Sequence, residues 1–427
     1  MKNIIIFSFF FISVITVMGQ KAKILFLGNS YTAVNDLPGT LYNLALSGGD
    51  TIIYNSNTPG GYTFQMHSTD AITLAKINND QWDYVVLQEQ SQLPSFSPAE
   101  VQTNVYPYAA ILDSLIHKND PCTKTVFYMT WGRKYGDASN CGVYPPVCTF
   151  EGMAGRLRQS YLEMGDMFEC PVAPVGMAWK RSRGLDSTIN LWAGDNSHPS
   201  VEGTYLTACV FYSTLFQKPT SGLAYYSSLN STNAQFLQLV ADNIVFDSLA
   251  TWNIGVFEPQ AGFSWNINVS GIQFVNESVN ANTYQWFFGD GFSSIEQSPL
   301  HTYSIPGNYT VTQIISDSCE YDTLTHVVEV LTTGLCNDVI TSELLVYPNP
   351  FNSTVNIEFP LERNGTYFIE LEKIDGSIVQ IDCIQPSNGE RIISFNTGDL
   401  PSGLYYIRID SSKGIVLRKV IKIGNRP

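Results

Sequence analysis

Between Lys23 and about Phe216 the chain alternates short, wholly apolar runs with longer segments of helical period. The runs 24–27, 84–87, 126–129 and 172–175 have no polar face, as expected of strands covered on both sides in a parallel sheet. Helical spacing predicts helices near 38–47, 64–77, 103–117 and 151–168, with a last one near 200–216. This alternation predicts a three-layer α/β/α domain, in which ligands bind beyond the carboxyl ends of the strands. After about Phe257 the helical period stops. Short β-rich runs separated by Gly, Asn, Pro and Ser then predict two all-β sandwich modules, divided by a break near 332–337.

The start of the chain has a different pattern. Lys2 precedes an apolar run from Ile4 to Val17, and Val17-Met18-Gly19 supplies a small-residue cleavage site. Residues 1–19 are read as a signal peptide, because the apolar run is short for a span of about 20 residues. The expected division is a signal peptide over 1–19, an α/β domain over 20–255, a β-module over 256–332, a linker over 333–344 and a second β-module over 345–427. No membrane span is expected after cleavage.

Charge removes one class of partner. With 23 basic and 38 acidic residues among 427 the net charge is −15, without long runs of one sign, so phosphate backbones are repelled and nucleic acid is not an expected partner. Export makes disulfides possible for the eight cysteines. Cys141 and Cys148 frame a Gly/Pro loop and are the first predicted pair; Cys319 with Cys336 is the next. Cys209, among apolar helix residues, is predicted to be a buried thiol.

The chain has no P-loop, G-x-G-x-x-G, H-E-x-x-H or C-x-x-C motif, and its histidines at 67, 117, 198, 301 and 326 include no pair at helical ligand spacing. No metal, nucleotide or other cofactor is expected. What remains is a strand that runs into Gly28-Asn29-Ser30 before a helix. A serine there is exposed at the sheet's carboxyl edge, although Gly, Asn and Ser are also ordinary turn formers. A second element, Asp195-Asn196-Ser197-His198-Pro199, precedes an apolar helix. It can supply a base and its carboxylate three residues apart, or be a solvated turn at a helix start.

Taken in chain order, Gly28-Asn29-Ser30-Tyr31-Thr32, Gly60-Gly61, Gln88-Glu89-Gln90-Ser91 and Asp195 to His198 resemble the sequence blocks of the SGNH (GDSL-type) hydrolase family, over about half the chain. The resemblance implies a flavodoxin-like fold and a serine esterase acting on acyl esters, with acetylated polysaccharide as the expected substrate. Ser30 would be the nucleophile, His198 the base and Asp195 its orienting partner. The implied oxyanion hole draws on the Ser30 N–H, a glycine N–H from Gly61 (with Gly60 as the other register) and an asparagine amide. This chain has no Gly-x-Asn-Asp block, so Gln88 takes the donor's place, with Gln90 second. Alternatives are a non-catalytic glycan-binding protein and an esterase or lipase for non-carbohydrate esters.

Other polar and aromatic residues have two readings each. His67 is a helix-face residue or a second base, and Glu89 a turn-bonded carboxylate or a pocket wall. Trp82, Trp131 and Trp179 form a sugar-stacking rim or part of the core. Arg133 and Lys134 would suit an anionic group on a substrate.

The middle module, with Tyr284-Gln285-Trp286-Phe287-Phe288-Gly289-Asp290-Gly291, His301-Thr302-Tyr303 and Pro306-Gly307-Asn308-Tyr309, resembles a PKD domain. Trp286 is expected in its core, and the module is expected to act as a spacer. The last, from Leu345-Val346-Tyr347-Pro348-Asn349-Pro350-Phe351 to Lys419-Val420-Ile421-Lys422, resembles the sorting domain of the type IX secretion system of Bacteroidetes. It implies the secretion machinery as a partner, and a secreted or surface location on a Gram-negative bacterium.

Overall fold

The computed structural model describes residues 19–268, 271–330, 345–358, 367–373, 378–384, 392–397, 400–411 and 414–423. The signal segment up to residue 18, the break at 331–344 and Cys336 lie outside these residues. The chain divides into one compact unit ending at Glu258 and a second beginning at Pro259.

The first unit holds β1 (Lys21–Leu27), α1 (Ser30–Ala33), α2 (Leu37–Ser47), β2 (Thr51–Asn57), α3 (Phe64–Thr69), α4 (Ala71–Asn78) and β3 (Tyr84–Leu87). It continues with α5 (Pro98–Asn104), α6 (Tyr106–Asn119), β4 (Lys124–Tyr128), α7 (Phe150–Met167), β5 (Val172–Ala173), α8 (Val175–Leu185), α9 (Val201–Phe216) and α10 (Ser231–Phe246). The five strands are parallel in the order β2-β1-β3-β4-β5. Crossovers run one way from β1 to β2 and the other way thereafter. Right-handed connection therefore puts helices on both faces, and the order reverses between β1 and β3. Ile24, Leu25, Phe26, Leu27, Val85, Val86, Leu87, Val126 and Phe127 are all buried, in keeping with their apolar runs.

Several boundaries differ from the sequence expectation for local reasons. The run predicted as one helix over 64–77 is two, because the Asp70 carboxylate caps α4 by accepting from Thr73 N. The next prediction, 103–117, breaks at Val105, and α5 starts upstream on a Ser97–Glu100 capping box. Strand β5 is only two residues long, and Val175 begins α8 instead of ending a strand. Strand β2 is additional to the sequence expectation: it lies at the sheet edge, and most of its residues are exposed or half-buried.

The last helix is also additional. Asp242 of α10 accepts from Ser213 Oγ of α9 and from the N–H groups of Thr220 and Ser221 in the connecting loop, at 3.0, 2.7 and 2.8 Å. These bonds tie α10 to the helix that follows the His198 loop.

In the second unit, the described strands between 263 and 330 form sheets of three and four strands around buried Trp286, whose indole donates to Glu296 O. The Gly-Asp-Gly turn and the following histidine have a structural use: His301 pairs with Asp290 at 2.7 Å and stacks on Phe288. The described strands between 345 and 422 form two further antiparallel sheets over Phe351, Val355, Ile357, Ile407 and Ile409.

Asp242→Ala should lower stability by about 3 kcal/mol, since the buried Thr220 N–H and Ser213 hydroxyl lose their acceptor at about 1–3 kcal/mol each. Chemical denaturation of the first unit checks this; an unchanged midpoint would remove Asp242 as the α9–α10 tie.

Candidate active site

The turn after β1 is built around a buried amide. Gln88, the first residue past β3, is fully buried, and its Oε1 accepts from Asn29 N at 2.9 Å and from Thr32 Oγ1 at 3.0 Å. Its Nε2 donates to Glu89 O at 2.5 Å. A side chain at position 28 would displace this amide, because a Cβ there would come within 2.7 Å of Gln88 Oε1 and 2.8 Å of Thr32 Oγ1. Asn29 caps α1 by accepting from Tyr31 N, and its Nδ2 donates to Tyr62 O, linking the turn to the Gly60-Gly61 loop. These bonds fix Ser30 at the first position of α1, at the reversal point of the sheet.

The second half comes from the loop before α9. Asp195 Oδ1 accepts from the N–H groups of Ser197 and His198, both at 3.0 Å, while Oδ2 meets His198 Nδ1 at 2.5 Å. His198 Nε2 lies 2.8 Å from Ser30 Oγ. Asn196 takes a left-handed φ of 61°, which asparagine tolerates, and this closes the turn. The loop is held from outside by Trp131 Nε1 donating to Ser197 O, by Lys134 N donating to Asn196 O, and by a 2.6 Å contact of Tyr31 Oη with Ser197 Oγ.

Behind it stands a column of buried rings. Tyr31 stacks on Trp131 at 4.7 Å, Trp131 stacks on Trp179 at 3.7 Å, and Trp192 meets Trp179 edge-on. Tyr31 also meets the His198 ring edge-on at 5.3 Å. Trp82, Trp131 and Trp179 are therefore core residues and form no rim.

The charges suit proton transfer. Burial works against ionisation of Asp195, but the His198 imidazole and the two loop N–H groups hold its carboxyl below the usual range. An ionised Asp195 accepts a hydrogen bond from His198 Nδ1–H and so holds the proton on that nitrogen. This leaves Nε2 as an acceptor for the Ser30 hydroxyl proton. The pair keeps contact with solvent, with side-chain exposures of 34% for His198 and 50% for Asp195.

The structure thus brings Ser30, His198 and Asp195 together, and Gly61 sits in the loop that Asn29 tethers. Of the two glycines, Gly61 has the left-handed φ, 73°. Gln88 does not fit the role of oxyanion donor: it is enclosed, and its amide is committed to the turn and to Glu89 O. Gln90 is turned into its own loop, donating to Gln92 Oε1 and accepting from Gln92 N and Leu93 N.

His67 is a buried brace. Its Nε2 lies 2.8 Å from Gly28 O and donates there, so Nδ1 accepts from Thr73 Oγ1, and burial holds its pKa below the usual histidine value. Glu89 is fully buried, accepting from Phe64 N and Gln90 N; burial pushes its pKa from 4.5 up to about 8. Tyr31 was not among the predicted site residues, since its role depends on partners distant in sequence. Burial raises its phenol pKa against the hydrogen bonds of Ser197 and Ser91 and the charge of Arg133. Cys141 and Cys148 are disulfide-bonded, closing the loop after Asp137, and Cys209 is a buried free thiol. Among the described residues no group of three or more His, Cys, Asp or Glu side chains is placed to hold a metal ion.

Comparison with known proteins assigns the two β-modules. Residues 264–331 match the PKD domain family, and residues 345–423 match the secretion system C-terminal sorting domain. The sorting domain marks the chain for export by the type IX secretion machinery to the outer surface of Bacteroidetes. A search of curated proteins found no match.

Among solved structures, a DUF4886 family protein from Bacteroides uniformis is 16% identical, covering 53% of this chain and 95% of its own, with a TM-score of 0.46. A putative SGNH hydrolase from Slackia heliotrinireducens is 26% identical over 46% of this chain and 99% of its own, with a TM-score of 0.38. An acetyl xylan esterase from Geobacillus stearothermophilus is 18% identical over 49% and 99%, with a TM-score of 0.34. The N-terminal domain resembles the SGNH hydrolases. Among the described residues, no helix is long and apolar enough to cross a membrane.

Two expectations follow. Gln88→Ala should lower the melting temperature and the activity together, because buried donors lose their acceptor; loss of kcat at an unchanged melting temperature would restore Gln88 as an oxyanion donor. The second concerns Glu89. An acid whose folded pKa is raised contributes stability that is fully present below its unfolded pKa near 4.5 and lost as pH rises through 8. Glu89→Gln should therefore flatten the fall in melting temperature between about pH 5 and about pH 8; an unchanged slope would contradict the buried acid.

Proposed function

We propose that the chain is an exported serine esterase that hydrolyses acyl esters through an acyl-enzyme, with acetyl groups on polysaccharides as the substrate. One observation carries this reading: a serine, a histidine and an aspartate, in hydrogen-bonded sequence, stand at the carboxyl edge of a parallel sheet. A serine hydroxyl is a weak nucleophile unless a positioned base takes its proton. In the proposed reaction Ser30 Oγ attacks the ester carbonyl while His198 Nε2 takes the proton and Asp195 stabilises the imidazolium. The N–H groups of Ser30 and Gly61 receive the oxyanion. His198 then protonates the departing alcohol, and a water deprotonated by the same nitrogen releases the acid.

The proposed division is an SGNH-type domain over 20–255, a PKD spacer over 256–332, a linker over 333–344 and the sorting domain over 345–427. Export to the cell surface favours a substrate met outside the cell, such as a polymer, over an intracellular metabolite.

Ser30→Ala and His198→Ala should each lower kcat on 4-nitrophenyl acetate by at least about 10³-fold with unchanged circular dichroism, and the double variant should be hardly worse than either. Asp195→Ala should lose less, since it orients the ring and transfers no proton. Comparing acetyl with longer acyl chains tests the acyl group. Retention of most activity in Ser30→Ala would defeat the mechanism.

A further inference from the structure

Arg133 lies between the two loops that frame Ser30. On one side, residues 131–134 run along the histidine loop: Trp131 Nε1 donates to Ser197 O, Trp192 Nε1 to Gly132 O, and Lys134 N to Asn196 O. On the other, Asp137 accepts from Gln92 Nε2 at 2.6 Å, joining the same segment to the residues that leave β3. The Arg133 charge acts on the phenol of Tyr31, the neighbour of Ser30.

The guanidinium is under-used where it stands. It has five N–H donors. One contact is made with Asp137, from Nη1 to Oδ1 at 3.4 Å, while Nε is buried without a hydrogen-bond partner. Asp137 has three further donors besides it. That carboxylate is fully buried and accepts from Gln92 Nε2, from Asn140 Nδ2 at 2.7 Å and from Ser139 N at 3.2 Å.

Two other arginines of the domain are engaged. Arg156 donates to Phe96 O, Gln159 and Ser160, and Arg183 donates to Lys134 O and stacks on Phe150 and Trp192. Lys134 Nζ is taken by Asn190. The Arg133 side chain keeps 29% of its surface exposed.

We infer that Arg133 binds a carboxylate on the alcohol part of the ester, so that the preferred substrates are acylated acidic glycans. This rests on the esterase reading above. A planar guanidinium matches a carboxylate through paired N–H donors, and partial desolvation strengthens the contact. The net charge of −15 repels anions at long range, so the preference arises from this short-range contact.

The test measures acetate release from a mono-acetylated methyl glucuronoside and from the matching glucoside, which differ in the C6 carboxylate, with 4-nitrophenyl acetate as a third ester. Wild type should favour the uronate by about tenfold or more in kcat/KM, chiefly through KM. Arg133→Met should lower the uronate-to-glucoside ratio by about 10- to 100-fold, and Arg133→Lys should restore part of it. Lys118→Met, which removes an exposed charge from α6, should leave the ratio unchanged. Cleavage of 4-nitrophenyl acetate without preference for the uronate, or a ratio that survives Arg133→Met, overturns this inference and leaves the esterase reading standing. Failure to cleave any of the three esters overturns both.

Discussion

The 2.8 Å contact between Ser30 Oγ and His198 Nε2 joins residues 168 positions apart, and the rest of the domain can be understood as the means of holding it. Proton transfer needs hydrogen-bond reach, so small drifts of either loop would break the relay. The serine side is fixed by buried polar groups: Gln88 under the turn, His67 on Gly28 O and Asn29 reaching Tyr62 O. The histidine side is fixed by Asp195 and by the indole of Trp131. Tyr31 belongs to both sides, next to Ser30 in the chain and touching Ser197 through its hydroxyl.

Those parts of the fold that depend on local pattern were legible in the sequence. The apolar runs of β1, β3 and β4 correspond to buried strands, and the spacing of Asp195 and His198 corresponds to a self-contained turn. Helix α10 also carries a readable period in Ala234, Leu237, Ala241 and Val245, so ending the helices near 216 stops one short. Edge strand β2 has too little burial to leave a continuous apolar signal. Gln88 shows what sequence hides: an amide at a strand end reads equally as a donor to substrate or as an acceptor for the backbone. Only the approach of Gly28 and Thr32 decides between them. The tryptophans are ambiguous for a similar reason, since a stacking column and a sugar platform use the same residues.

Beneath the site lies a layer of polar groups with little or no contact with water. Gln88, Glu89, His67, Thr73 and Asp137 are all buried there, and each finds partners in the protein. Buried polar groups restrict a structure to arrangements that satisfy them, because the low local dielectric makes a missed partner expensive. An apolar layer would pack in several ways; this one admits few.

The crowding of Gly28 against Gln88 and Thr32 has an evolutionary side. A side chain at position 28 needs Gln88 and Thr32 to give way, and moving the Gln88 amide takes the acceptor from Asn29 N. The three positions share one set of contacts, so double replacements should deviate from the sum of the singles. Across descendants of this chain the three positions should drift as a linked set, or not at all.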